Sequence, residues 1–313
     1  MPGGAGGAAG AGAAIAFATM YAAPLHVQLG VTLRRAMAEM WHNPTVPVIR
    51  VFVYLFIGIF FALTFLNTAN VSPPTQTSVQ STQGLLFSST IFAGIAYLNT
   101  GMPQLFALRP IYYREKAAHF YLPLAYAVSV ILRDVPFLVF YALLFSSLTY
   151  FANGLLVAAG PFFTYVCALV FLLLYYGSLA AWLSSVMPNA EVAGILGGII
   201  ISLTNLFGGL QIPPANLAQG WMFLYVTDGV AWALRLNSMT QFDPSVDRNN
   251  VLFSAPNPVT GTFGPISAYN YVSQSLVYTF EQRWQAIGWL ALIFTFFNLL
   301  AILGYRFVDH NKR

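Results

Sequence analysis

The stretch "TVPVIRVFVYLFIGIFFALTFL", residues 45–66, holds a single charged side chain, Arg50, in 22 positions. A helix needs about 20 apolar residues to cross about 30 Å of hydrocarbon, so this segment reads as a membrane span. Working outward, five further runs of the same kind occupy about 83–106, 123–151, 161–187, 190–210 and 285–307. The predicted fold is an all-α polytopic membrane protein with six transmembrane helices. An N-terminal amphipathic interfacial helix precedes the first span, and a long outer loop, 211–284, precedes the last. Composition agrees: 58% of the 313 residues are apolar and 7% charged, more apolar side chain than a soluble chain of this length could enclose.

Residues 1–23 open on the Gly/Ala tract "MPGGAGGAAGAGAAIAFATM". The tract has no basic n-region, so it reads as a flexible leader rather than a signal peptide. The domain proper is then 24–313. In 24–42, Leu29, Leu33, Ala36, Met37, Met40 and Trp41 recur at helical spacing while Arg34, Arg35 and Glu39 fall on the other side, the pattern of a helix lying in the membrane interface. Asn189 follows the fourth span at a position where it can cap the fifth.

Six spans put both termini on one side, together with Arg34, Arg35, Arg109, Arg114, Lys116, Arg306, Lys312 and Arg313. The short opposite loops 67–82 and 152–160 contain no Lys or Arg, so the rule that basic residues stay inside makes the termini cytoplasmic. The permitted glycosylation triplet Asn70-Val71-Ser72 then falls on the outer side. The lipid bilayer is the first partner implied. The net charge of +4, with no basic-aromatic module, does not argue for nucleic acid.

Chemistry of other kinds lacks its residues. Only Lys116 and Lys312 are lysines and neither sits in a Gly-x-x-x-x-Gly-Lys-Ser/Thr loop, so the chain has no phosphate cradle and is not an ATPase by itself. His26, His42, His119 and His310 are scattered, and Cys167 is the lone cysteine, so no metal site is expected.

"RPIYYREKAAHFYLP", 109–123, crowds Arg109, Arg114, Glu115 and Lys116 between two spans. Tyr112, Tyr113, Phe120 and Tyr121 beside them suit a protein contact with aromatic anchors. A positive-inside anchor with interfacial aromatics accounts for the same residues equally well. Deeper in the third span, Arg133 and Asp134 need partners, since an unpaired charge at mid-span costs about 3 kcal/mol. Neighbours on a helix point about 100° apart, so Arg50 is the candidate partner for Asp134. A buried interspan pair and a proton relay are the two readings. Gly194 and Gly198 form a Gly-x-x-x-Gly pair suited to close helix packing.

"IYYREKAAHFYLPLAYAVSVILRDVP" (111–136), "MPNAEVAGIL" (187–196), "FGGLQIP" (207–213) and "VAWALRLNSMTQF" (230–242) resemble, in order, four stretches of the membrane domain of subfamily G ABC transporters, especially the pleiotropic drug resistance type. The resemblance covers about 24–310. It implies an exporter of hydrophobic or amphipathic small molecules at the plasma membrane. ATP and Mg would be handled by a nucleotide-binding domain outside this chain, and a second transmembrane domain, from a homodimer or the other half of a full-size transporter, would complete the path. It further implies that Tyr112, Tyr113, Arg114, Glu115 and Lys116 couple to the nucleotide-binding domain beside the interfacial residues Arg34, Arg35 and Glu39. Tyr97, Ser202 and Asn205 would line the substrate cavity and Leu210 would form its outer gate. For Tyr97 interspan packing, and for Asn205 an interhelical hydrogen bond, are the plainer alternatives. Gln211 departs from the second leucine of the family's gate, Asp228-Gly229 stands where relatives have Asn-Pro, and Arg133 has no counterpart. A stand-alone channel, an ion-coupled secondary transporter and a non-transporting membrane fragment are the rival classes.

Overall fold

The computed structural model describes residue 21 and residues 23–258 and 261–310. Most of the expected leader, with Lys312 and Arg313, lies outside the described residues. Helix α1, Leu25–His42, is followed by five long helices: α2 (Thr45–Thr64), α3 (Gln76–Ala117), α4 (Pro123–Ala152), α5 (Ala159–Val186) and α6 (Ala190–Phe207). The outer segment then builds α7 (Met222–Thr227), α8 (Gly229–Gln241), α9 (Asp247–Asn250), an antiparallel hairpin of β1 (Leu252–Pro256) and β2 (Phe263–Ser267), and α10 (Ala268–Leu276), before α11 (Arg283–Phe307). Six helices, α2 to α6 and the one ending at Phe307, are long and apolar enough to cross a membrane. The protein is a multi-pass, all-α membrane protein. The two-stranded hairpin, in register Leu252↔Ser267 to Pro256↔Phe263, is an element the sequence reading did not anticipate in 211–284.

Local signals account for several helix starts. A capping box closes the start of α3, where Thr75 and Ser78 satisfy each other's backbone N–H groups. Pro123 occupies the first turn of α4, where its missing donor costs nothing. The Val192 N–H donates to Asn189 Oδ1 at 2.9 Å, the cap expected for α6. One boundary differs from the sequence reading. The second span and the charged loop after it are one helix of 42 residues, about 63 Å long and so about twice the hydrocarbon thickness. Pro103 and Pro110 lie inside it without ending it. The chain reverses only past Ala117, with His119 in the left-handed region at φ 54°.

Helix α5 is the central column, packed against α3, α4, α8 and α11. All thirteen residues of α8 are buried, so the α7–α8 turn carries α8 in against α3, α5 and α11. At its tip the Val230 N–H donates to Asp228 Oδ1 at 2.9 Å and caps α8. Phe52, Phe56, Phe60 and Leu63 of α2 project outward, a patch that suits lipid and would be a liability in water. Helix contacts are closest at glycines. A Cβ on Gly94 of α3 would overlap the Tyr176 ring of α5, and one on Gly304 of α11 would overlap Ser185. Gly194 and Gly198 instead have open space beside them, so their close packing is not made within this chain; Gly197 is the one that faces Met102 and Leu98 of α3.

Gly94→Ala should therefore lower the stability of the purified protein by about 1–3 kcal/mol, because a rigid ring rather than a flexible chain end must yield. Gly198→Ala should leave it unchanged, and equal melting temperatures for the two variants would contradict this packing. Burial pushes the Asp228 carboxyl up to about 8, against the pull of the Val230 N–H in the other direction. A carboxyl raised on folding stabilises most below its unfolded pKa of about 4, and the protein should lose stability as pH rises from there to about 8. Asp228→Asn keeps the capping oxygen and cannot ionise, so thermal unfolding scanned across that range should show a flatter profile; an unchanged slope would count against it.

Candidate functional site

The polar face of α1 is set by Gln28, Thr32, Arg35 and Glu39, spaced four, three and four apart. In the sequence reading Arg34, Arg35 and Glu39 lie on the side of α1 away from its apolar residues. The structure buries Gln28 and Thr32 of the polar face, leaves the Arg35 and Glu39 side chains 51% and 40% exposed, and leaves Val31 and Trp41 63% and 78% exposed. Gln28 Oε1 accepts from the Leu122 N–H at 2.8 Å, and Thr32 Oγ1 lies 2.6 Å from Ser129 Oγ, so α1 is docked along the start of α4. A helix that exposes Val31 and Trp41 while burying Gln28 and Thr32 suits a setting where lipid replaces water.

From this dock an alternating chain of charges runs inward. Arg35 donates from both Nη atoms to the Glu115 carboxylate, at 2.6 and 2.9 Å, a bidentate pair tying α1 to the last turn of α3. Tyr121 also donates to Glu115 Oε2 at 2.5 Å. One turn along α1, Glu39 Oε2 lies 3.9 Å from Arg133 Nη1 of α4. Arg133 Nε in turn reaches Asp134 Oδ1 at 3.2 Å, and Asp134 Oδ2 faces Arg50 Nη1 of α2 at 3.7 Å. The sequence reading set Arg133 and Asp134 apart by their helical angle, but the long arginine side chain folds back along the helix and the two meet. Arg50 closes the chain: its Nε donates to Thr100 Oγ1 at 3.1 Å and its guanidinium lies 4.4 Å from the Tyr97 ring centroid. Gly101 makes room for it, since a Cβ there would come within 2.9 Å of Arg50 Nη2. Three arginines and three carboxylates thus balance along a path from the end of α3 into the middle of the spans.

The links differ in worth. Arg35 is 51% exposed on its side chain, which limits that pair to about 1 kcal/mol. Arg50 and Arg133 are each 1% exposed, and removing a partner there strands a cation in apolar surroundings.

The other residues of the charged stretch are turned elsewhere. Tyr112 and Tyr113 are buried and cannot be anchors on an outward surface, a correction to the sequence reading. The Tyr112 hydroxyl donates to the Tyr305 carbonyl of α11 at 2.8 Å, and the Lys116 ammonium donates to the same carbonyl at 2.8 Å. Arg109 Nη1 donates to the Met187 carbonyl at 2.6 Å, which fixes the α5–α6 turn to α3. Arg114, Phe120 and Arg34 are exposed. The cause is the continuity of α3: a helix running straight through the stretch must bury one side against α4 and α11.

The expected cavity residues are not brought together. Ser202 is exposed on α6, Asn205 is half-buried, and Leu210 is half-buried against the core. Tyr97 is 2% exposed, lies against Gly177 of α5 and donates from its hydroxyl to Asp134 Oδ2 at 3.2 Å, and with Arg50, Gly101 and Asp134 it lines a small cavity among α2, α3, α4 and α5. Asn70 is exposed in the loop between α2 and α3. The links through Gln28, Thr32, Glu39 and Arg109 were missed in the sequence; the spacing of the polar side of α1 was the available signal for the first three.

The sequence profile described as "ABC-2 type transporter" matches residues 27–242. Similar curated proteins include ABC transporter G family member 49 of Oryza sativa subsp. japonica, 26% identical over 244 residues, which are 78% of this chain and 16% of that protein. ABC transporter G family member 2 of Dictyostelium discoideum is 27% identical over 274 residues, 83% of this chain and 20% of its own length. Pleiotropic drug resistance protein 1 of Nicotiana tabacum is 26% identical over 218 residues, 70% of this chain and 15% of its own length. The chain thus spans between about a seventh and a fifth of the relatives it matches.

The pair at the inner end of the chain of charges can be weighed against the one at its outer end. Asp134→Asn should destabilise the purified protein by about 3 kcal/mol by stranding Arg50. Glu115→Gln should cost about 1 kcal/mol, and a smaller loss at position 134 than at 115 would refute the ranking.

Proposed function

The chain belongs to the ABC-2 type transporter family, and from that premise we propose that it is the membrane-spanning domain of an ATP-driven exporter of hydrophobic or amphipathic compounds. ATP, with Mg, is bound and hydrolysed on a nucleotide-binding domain outside this chain, and a second transmembrane domain completes the path. Both termini and the charged end of α3 face the cytoplasm, at the plasma membrane, and export follows alternating access.

The observation that carries this reading is that α1 holds two sets of ion pairs one turn apart, Arg35 with Glu115 at the end of α3, and Glu39 with Arg133, Asp134 and Arg50 among the spans. A nucleotide-driven push on the end of this 42-residue helix meets α1 through Arg35, and α1 in turn meets the interior of α4 through Glu39 and Arg133. Arg114, exposed on the same turn as Glu115, is the direct contact to the nucleotide-binding domain; Glu115, Lys116, Tyr112 and Tyr113 transmit from behind it. Ser202 and Asn205 on the exposed side of α6 face the substrate path shared with the second domain, and Leu210 gates it on the outer side. The drug-resistance name of one relative supports a hydrophobic cargo.

In the assembled transporter, Glu115→Arg should allow membrane insertion but separate ATP turnover from transport by opposing Arg35. The double variant Arg35→Glu with Glu115→Arg restores the pair in reverse and should recover transport. Normal transport in the single variant would sink the coupling assignment.

A further inference from the structure

On the side of the chain that carries its termini, the end of α3, the start of α4 and the end of α11 surround a cleft of about 580 Å³. Its mouth holds Lys116, His119 and Arg306 with Tyr21, whose ring lies edge-on to that of His119 at 6.4 Å, and its floor is Leu122, Pro123, Leu124 and Ile302. Lys116 is held in place, because its ammonium donates to the carbonyls of Tyr305 and Arg306 at 2.8 and 3.1 Å; a third proton remains for a ligand. Arg306 is exposed, with its guanidinium 5.1 Å from the Phe307 ring centroid. The neighbouring carboxylates do not balance these cations. Glu115 is engaged by Arg35 and Tyr121, and Asp309 is the one acid whose charge acts on Lys116. The floor continues onto faces of α4 and α11 where Leu124 and Leu303 are 38% and 48% exposed, at the end of two membrane spans.

A cationic mouth over an aliphatic floor at the membrane boundary matches one kind of molecule: a phosphate on an acyl chain. We propose that this cleft binds an anionic phospholipid of the adjoining leaflet, with its phosphate on Lys116, His119 and Arg306 and its chains along α4 and α11. A zwitterionic lipid has no net negative charge to set against Lys116 and Arg306, and a soluble phosphate would leave the apolar floor uncovered. The site needs no ATPase domain and no transport, so it stands apart from the function proposed above.

Native mass spectrometry of the purified chain with phosphatidylserine and phosphatidylcholine tests it. Wild type should retain phosphatidylserine preferentially. Each basic residue beside an anionic head group contributes about 1 kcal/mol, about fivefold in affinity, so Arg306→Gln should weaken retention by about that factor. Lys116→Gln, which keeps a donor for the α11 carbonyls, should add a similar loss in the double variant, while Arg306→Lys should restore binding. Arg114→Gln, exposed on the same turn of α3 but outside the cleft, should bind as wild type. The proposal is overturned by equal retention of the two lipids, by an equal loss in Arg114→Gln, which would indicate a diffuse basic surface, or by full competition from glycerophosphoserine, which would mean the acyl chains take no part.

Discussion

Charge that enters an apolar bundle must be answered by opposite charge within it, and the arrangement of α1, α2 and α4 follows from that demand. Arg50 and Arg133, both buried, share Asp134, and the remaining cationic charge is met by Glu39 from the interfacial helix. The interfacial helix is thus a counter-ion carrier as much as a membrane float. It buries Gln28, Thr32 and Met40 against the protein and leaves Val31 and Trp41 exposed, a distribution that lipid tolerates better than water. The lipid environment is what permits this, since Trp41 and Val31 lose nothing by facing acyl chains.

The length of α3 turns this local balance into a long-range connection. A helix transmits displacement along its axis, and this one continues unbroken from the capping box at Thr75 to the ion pair at Glu115. Its last turns are gripped on several sides, by Arg35 from α1, by the terminal carbonyls of α11 through Tyr112 and Lys116, and by the α5–α6 turn through Arg109. A push at that end is therefore shared by α1, α4, α5, α6 and α11 together.

The outer half is held by different means. With Cys167 as the lone cysteine, no intrachain disulfide can brace the segment between α6 and α11, and its stability comes from burying the whole of α8 against α5 and its neighbours. The cost is the Asp228 cap, a carboxyl placed where water does not reach it. The arrangement is tight enough that Gly229 is needed at the first position of α8, where a Cβ would lie 2.8 Å from the Tyr175 ring.

What the sequence alone determined is whatever depends on local composition: the six spans, the interfacial helix, the cap at Asn189 and the lack of a phosphate loop or thiolate cluster. Apolar run length and residue inventory decide these without reference to distant residues. Tertiary structure alone decided the direction side chains face. Tyr112 and Tyr113 look like surface anchors in the sequence, yet lie buried because α3 runs on past its expected end into contact with α4 and α11. Tyr97 turns to Asp134, and Gly94 rather than the Gly194–Gly198 pair makes the close helix contact, because those outcomes depend on which helix lies alongside, and periodicity carries no information about the neighbour.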